Sequence, residues 1–503
     1  MNVAIFDLIK SMSKTEKRHF KVQAKTNPKN QNLVSLFDII ESQDEYDEQI
    51  VKSKVKDEAF LKHFAVNKNR LYDFVLKSLR SYYSSYNTQT QILNQLTEIE
   101  ILYSKKLYSE CSRRILKAKA SAKEHGLNWV LYRLNHWQEK LLKEEGKYLK
   151  SSLESLSELH QENETVLKSL SDSNTVKFHY YKLLLHARNV STLESYRLNE
   201  VQSAIIRVNS KELDHDGFIN YLNLKALYSY FISRHEESLD LYKEVVDFIE
   251  NIPDGIKDFN HTYFIALNNI LITQAMCHQY TESSATLAKI HEIFYGNRTY
   301  EREFFTLTSC YELSIYAVTG NIEKAQVILD SVHDNLDQYN LNDINRYFFY
   351  FNLAKVTFYQ NDFSASQRWI NELINDYNKK RKESLNNLYY YGNIFFLFLQ
   401  YEKGDLEYLN SQIHSIKRLL LQIRPLNDVD IKVVNLLEGL TLASVDKHLE
   451  MFEKTKRELD YLLQLPQNPS VAQFFDVISW LEGKIYNKPM REIIQNKHTQ
   501  SNV

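Results

Sequence analysis

Proline and glycine are scarce in this chain, six and ten among 503 residues, where about 5% and 7% are usual. Hairpins, tight turns and Gly-rich phosphate loops draw on both residues, so the deficit points to a helical protein. Cysteine is nearly absent: Cys111, Cys277 and Cys310 lie far apart and form no CxxC pair. That excludes a disulfide framework or a thiolate metal site and fits a reducing cytoplasm. No charge sign dominates, with 62 Lys and Arg against 64 Asp and Glu and a net charge of −2, so no global field draws the chain to nucleic acid or anionic membrane. Long apolar runs are missing too. The most apolar stretch, LYYYGNIFFLFLQY (388–401), is 14 residues long and interrupted by Gly392 and Asn393, short of the ~20 that a membrane span needs. Charges at Asp7 and Lys10 leave no room for the apolar region of a signal peptide. A soluble, cytoplasmic protein with no membrane partner is expected.

Motifs for chemistry are also missing. There is no GxGxxG, Walker sequence, HExxH, GxSxG or EF-hand loop. The two tight His–carboxylate clusters are Asp214-His215-Asp216 and His235-Glu236-Glu237. Adjacent residues diverge on a helix, so neither makes a metal cage alone. The expectation is a protein that is not an enzyme, with no cofactor and no metal.

What is present is a repeat. In YAVTGNIEKAQVILD (316–330), Gly320 is followed by Ile322, Ala325 and Leu329, at offsets of two, five and nine. The same frame fits Gly404 with Leu406, Leu409 and Ile413, and Asn361 with Phe363, Ser366 and Ile370. It fits His235, Ser238 and Tyr242; Tyr280, Ser283 and Leu287; Tyr108, Cys111 and Ile115; and, more weakly, His448, Met451 and Thr455. Positions two past the anchor fall at 235, 280, 322, 363, 406 and 448, steps of 45, 42, 41, 43 and 42. A fixed period of this size marks stacked helical pairs. The anchor ends one helix in a left-handed cap, and the small residue in the next helix lets two backbones approach.

This frame resembles the tetratricopeptide repeat (TPR), whose pattern places Gly, an aromatic or aliphatic two on, a small residue five on and a large apolar residue nine on. The family repeats every 34 residues; the period here is near 42, which implies longer helices, as in the TPR-like repeats of large uncharacterised bacterial cytoplasmic proteins. The resemblance implies an all-α fold: a right-handed α-solenoid of eight or nine TPR-like antiparallel helix pairs over 93–465. It also implies a protein or peptide partner held in the concave groove. Carried over to the first helices, the family's groove positions select Asn223, Tyr230, Asn268, Lys355, Tyr359, Tyr391 and Tyr401. The carboxylate-clamp Asn of co-chaperone TPR proteins corresponds here to Ser314, Lys355 and Phe398, so chaperone C-termini are not the favoured ligand.

The ends fall outside the frame. Residues 1–92 read as an N-terminal helical domain with a capping box at Ser13 and Glu16 and an amphipathic helix over 32–42. Residues 1–90 hold 15 Lys and Arg against 11 Asp and Glu, a mild +4. Within 57–80, Ala65-Val66-Asn67 followed by Leu71 resembles the turn and recognition helix of a degenerate helix-turn-helix, although Leu61 stands where that motif has a small residue. The alternative is a cap in which Leu71, Phe74, Val75 and Leu79 pack on the first repeat. A transcription regulator with DNA-binding N-terminal helices and a partner-sensing solenoid is accordingly the second reading, although nucleic acid is a disfavoured partner. Past Pro466 and Pro469, FFDVISWLEGKIYN (474–487) reads as a capping helix within 466–494. Residues 495–503 read as a disordered tail.

Overall fold

The structure is a computed structural model that describes residues 3–26, 30–84, 87–145, 149–187, 198–277, 279–297, 299–319, 321–339, 341, 343–381, 385–463 and 470–501. Among the described residues every regular element is a helix, and no strand occurs. No helix is long and apolar enough to cross a membrane. The chain forms two compact units. One comprises Met1–Ser171, Glu212–Asp216 and Glu250–Asn260, the other Asp172–Lys211, Gly217–Ile249 and His261–Val503. They do not divide at 92/93, because the Thr88–Ser104 helix runs across that position.

In the first unit the Ser13 capping box forms as its sequence dictates. Ser13 Oγ accepts the Glu16 amide at 3.3 Å, and the Ser13 amide reaches Glu16 Oε2 at 2.5 Å. Ile9, Phe20, Leu36, Phe37, Leu71 and Val75 then close one core, with Phe20 and Phe37 stacked at 4.5 Å. This corrects the cap reading. Leu71 and Val75 are fully buried, and Phe74 and Leu79 pack beside them, in a core the N-terminal helices make themselves. A separate cluster around Ile99, Cys111, Ile115 and Leu134 belongs to the helices that follow. The helix-turn-helix reading is corrected as well. Ala65, Val66 and Asn67 lie inside the Phe64–Tyr82 helix, and His63 alone separates it from Glu58–Lys62. Asn67 Nδ2 donates to the Phe60 carbonyl at 3.0 Å, tying the two short-linked helices together.

The frame read from the sequence coincides with helix starts. Tyr108, His235, Tyr280, Ile322, Phe363, Leu406 and His448 are each the first residue of a helix. Four anchors, Lys106, Ser233, Asn361 and Gly404, have φ of 59°, 60°, 61° and 79°, the left-handed conformation that ends a helix. Gly320 lies outside the described residues, but Asn321 N–H bonds the Tyr316 carbonyl at 2.9 Å. The same six-to-one bond closes the turns at Leu107, Arg234, Gln279 and Asp362. The small residues five past the anchor (Cys111, Ser238, Ser283, Ala325 and Ser366) are all fully buried. Three of them also bond across the pair to a carbonyl twelve residues back. Ser238 Oγ reaches Ala226 O at 2.8 Å, Ser366 Oγ reaches Ala354 O at 2.7 Å, and Cys111 Sγ reaches Ile99 O at 3.6 Å. Such bonds form only where two helix backbones nearly touch.

In the second unit consecutive helices pack on one another, and each first helix also packs on the next first helix: Cys310–Thr319 on Asp343–Tyr359, that on Asn386–Glu402, and that on Asp428–Leu442. The expected disordered tail is corrected here. The Met490–Ser501 helix takes in its described residues, because Ile493 and Ile494 are buried and Lys497 bonds both Ser479 Oγ (2.9 Å) and Glu482 (2.7 Å). Pro466 and Pro469 lie outside the described residues.

Candidate partner-binding face

All seven residues singled out in the sequence lie on first helices of the second unit. Asn223 and Asn268 occupy equivalent turns of His215–Phe231 and Asn260–Met276 and are buried. Each amide donates to the carbonyl one turn back, Ile219 at 3.0 Å and Phe264 at 2.9 Å. Asn268 Oδ1 is left to accept Thr308 Oγ1 at 2.9 Å, from a π-helical turn over Phe304–Ser309. Two further buried asparagines, unnoticed in the sequence, lie within one residue of the same register on later first helices. Asn393 makes the same bond to Tyr389 O at 2.8 Å, and Asn352 Nδ2 reaches Cys310 O at 3.3 Å. Asn352 is 84 residues past Asn268, one more than separates the helix starts Tyr280 and Phe363. Tyr230 is half-buried, set edge-on to His235 at 5.3 Å.

Lys355 is 8% exposed, and no carboxylate lies within ion-pair distance among the described residues. Its ammonium sits 5.8 Å from the centroid of the Phe351 ring. Burial pushes its pKa down to about 8, with the Cys310 thiol beside it opposing the shift; burial likewise pushes Cys310 up to about 12. A buried lysine without a counter-ion is costly in a fold.

Tyr359 and Tyr391 converge on a segment of the chain itself. Ser470–Asp476 crosses the faces of Asp343–Tyr359, Asn386–Glu402 and Asp428–Leu442. Phe474 stacks on Tyr391 with centroids 4.2 Å apart and meets Phe351 edge-on at 5.9 Å. Phe475, 1% exposed, is enclosed by Phe358, Tyr359, Phe395 and Phe398 at 4.8–6.2 Å. The Val471 amide donates to Asp430 Oδ1 at 2.8 Å. Asp430 is wholly buried and also takes the Tyr390 hydroxyl at 3.2 Å. Burial raises its carboxyl above the ordinary range, with the Val471 amide and Arg424 pulling the other way. Burial likewise raises the Tyr359 and Tyr391 phenols and pushes Tyr401 up to about 12. Tyr401 is half-buried, 5.7 Å from Trp480, whose indole N–H donates to Glu402 at 2.6 Å.

The sequence reading placed Phe474 and Phe475 in a helix. The helix instead starts at Val477, because Asp476 caps it by accepting the Ser479 amide at 2.9 Å. The Asp-x-x-Ser spacing carries that signal. No group of three or more His, Cys, Asp or Glu able to hold a metal occurs among the described residues. His235 and His215, named above, are both depressed by burial. Neither a protein-family profile nor a curated protein matches this chain.

Proposed function

We infer that this chain is a non-enzymatic scaffold of the TPR-like kind, a right-handed solenoid with a period near 42 residues whose first helices bind a protein or peptide. The observation that carries the reading is that this face already holds a short segment of the chain: Ser470–Asp476, which makes a 3-10 turn at Val471–Gln473 and is held through a main-chain N–H and two aromatic side chains. That is how grooves take peptide ligands, with backbone bonds for affinity and pockets for specificity. Lys355 adds a charge with no carboxylate in ion-pair distance among the described residues, which suits a partner bringing a carboxylate. Tyr230, half-buried beside His235, adds aromatic contact area with a polar end.

The test is selection of a random peptide library on the full chain, followed by titration of the enriched peptides against Tyr230→Ala and Lys355→Met. Enriched peptides that carry an acidic residue, and that each substitution weakens by about tenfold or more, are expected. An absence of enrichment, or peptides indifferent to both substitutions, contradicts the reading.

A further inference from the structure

We propose that two copies of this chain pair antiparallel along the Leu149–Ala187 helix, through a stripe of exposed apolar side chains. The inference is independent of the peptide-binding reading and concerns a different helix.

Leu149–Ala187 is one uninterrupted helix of 39 residues, the longest among the described residues. One side of it is used within the chain. Leu159, Val166, Val176 and Leu183 are buried. Glu162 takes Lys119 at 2.9 Å and Lys123 at 2.6 Å, and Ser169 takes the Asn128 amide at 2.9 Å. The other side faces solvent. Residues 153, 156, 160, 164, 167, 171, 174, 178, 181 and 185 follow one another at steps of three and four, which keeps them on one face, and all ten are exposed. Six of the ten are large and apolar: Leu153, Leu156, Leu167, Phe178, Tyr181 and Leu185, at 43–64% exposure. Single apolar residues on a surface are ordinary, but a stripe of them marks an interaction surface.

The order of residues in the stripe identifies the occupant as a second copy. Apolar side chains fill both ends, and His160, Glu164, Ser171 and Asn174 lie toward the middle around Leu167, so the stripe reads nearly alike in both directions. Two such helices laid antiparallel, with a two-fold axis between Leu167 and Ser171, bring Leu153 to the partner's Leu185, Leu156 to the partner's Tyr181 and His160 to the partner's Phe178. Each pairing then occurs twice, as a two-fold interface requires. A foreign helix would need no such symmetry. Charge selects the direction. Glu164 is the one carboxylate in the stripe, and parallel pairing would set it against itself, which is unfavourable. Antiparallel pairing sets it against the partner's Asn174 and within a turn of the partner's Lys177. On its own chain Lys177 Nζ stands 6.0 Å from the Tyr181 ring centroid, at the edge of the stripe. The seam is also long enough. From Leu153 to Leu185 the helix rises about 48 Å, more than the roughly three to four heptads that sustain a coiled coil.

The test is sedimentation equilibrium of the full chain between about 1 and 100 µM, on wild type, Leu156→Glu and Phe178→Glu. Wild type should sediment at twice the chain mass, and each substitution should weaken the dimer by about tenfold or more. Both side chains are exposed, so the variants should keep the wild-type circular dichroism spectrum. Oxidative cross-linking reads the direction. Leu153→Cys mixed with Leu185→Cys should give a disulfide-linked dimer that neither variant gives alone and the unsubstituted chain does not give. A wild-type monomer across that range overturns the proposal, as does a dimer indifferent to both substitutions. A variant that loses its helicity also overturns it, because the stripe would then belong to the chain's own core. So does a mixture that fails to cross-link, or Leu153→Cys chains that cross-link to one another, which is the signature of a parallel pair.

Discussion

Lys355 is the residue at which sequence and packing disagree most. A helix that buries Tyr347, Phe349, Phe351, Val356 and Phe358 gains nothing in stability from an ammonium among them. Its pKa of about 8 lies below the ordinary 10.5, so the folded chain holds the proton less tightly than the unfolded one. Below pH 8 both states are charged and the folded state bears the desolvation cost. As pH climbs from 8 to 10.5 the folded chain sheds the proton and the cost fades. Lys355→Met should therefore stabilise the second unit at pH 7, by an amount of order 1–3 kcal/mol, with the gain shrinking toward pH 10.5. Thermal melts across that range check it; a destabilised variant, or a gain independent of pH, contradicts it. Ala325 makes the opposite kind of prediction. It is fully buried at the closest approach of two helices, so Ala325→Leu should cost about 1–3 kcal/mol through overpacking, read as a fall in the denaturation midpoint.

At the scale of the helix pair, the turn does most of the specifying. A left-handed residue ends the first helix, a six-to-one bond closes it, and a small residue seats the second helix on the first. The frame was legible because each of these steps constrains residue type. Ala325, Ser366, Ser283, Ser238 and Cys111 are small for one geometric reason, and their spacing puts the helix starts at the right residues. What the turn needs is a conformation rather than a residue, which is why Lys106 and Ser233 occupy it where glycine was the expectation. Ser233→Gly should then relieve left-handed strain and stabilise by a few tenths to about 1 kcal/mol, net of the unfolded-state entropy glycine adds. An unchanged or lowered midpoint contradicts that. The N-terminal helices were less legible. Ala65-Val66-Asn67 has the residue types of a turn, but Asn67 bonds the preceding helix at Phe60 and the segment stays helical. Tertiary packing decides such short segments, and local pattern does not register it.

At the scale of the molecule, the positions chosen from the sequence fall into two groups. Asn223, Tyr230, Asn268 and Lys355 lie along first helices, with both asparagines bonded inside their own helices and Lys355 over the Phe351 ring. Tyr359, Tyr391 and Tyr401 meet residues 474–480 of the same chain. A sequence frame finds positions on a repeated face, but it cannot say what covers them, because the covering residues come from over 70 positions away along the chain. Asp430 and Arg424 escaped notice for the same reason: their roles exist only when Val471, Tyr390 and Tyr391 are brought to them. The central claim, that first helices of the second unit form a peptide-binding face, is tested most directly by determining the structure of the full chain with a selected peptide bound. The account predicts that the peptide runs across His215–Phe231, Asn260–Met276 and Asp343–Tyr359, with Tyr230 against it and an acidic side chain within ion-pair distance of Lys355 Nζ, roughly 4 Å or less. A peptide seated on the second helices of the pairs, or on the N-terminal unit, would contradict it.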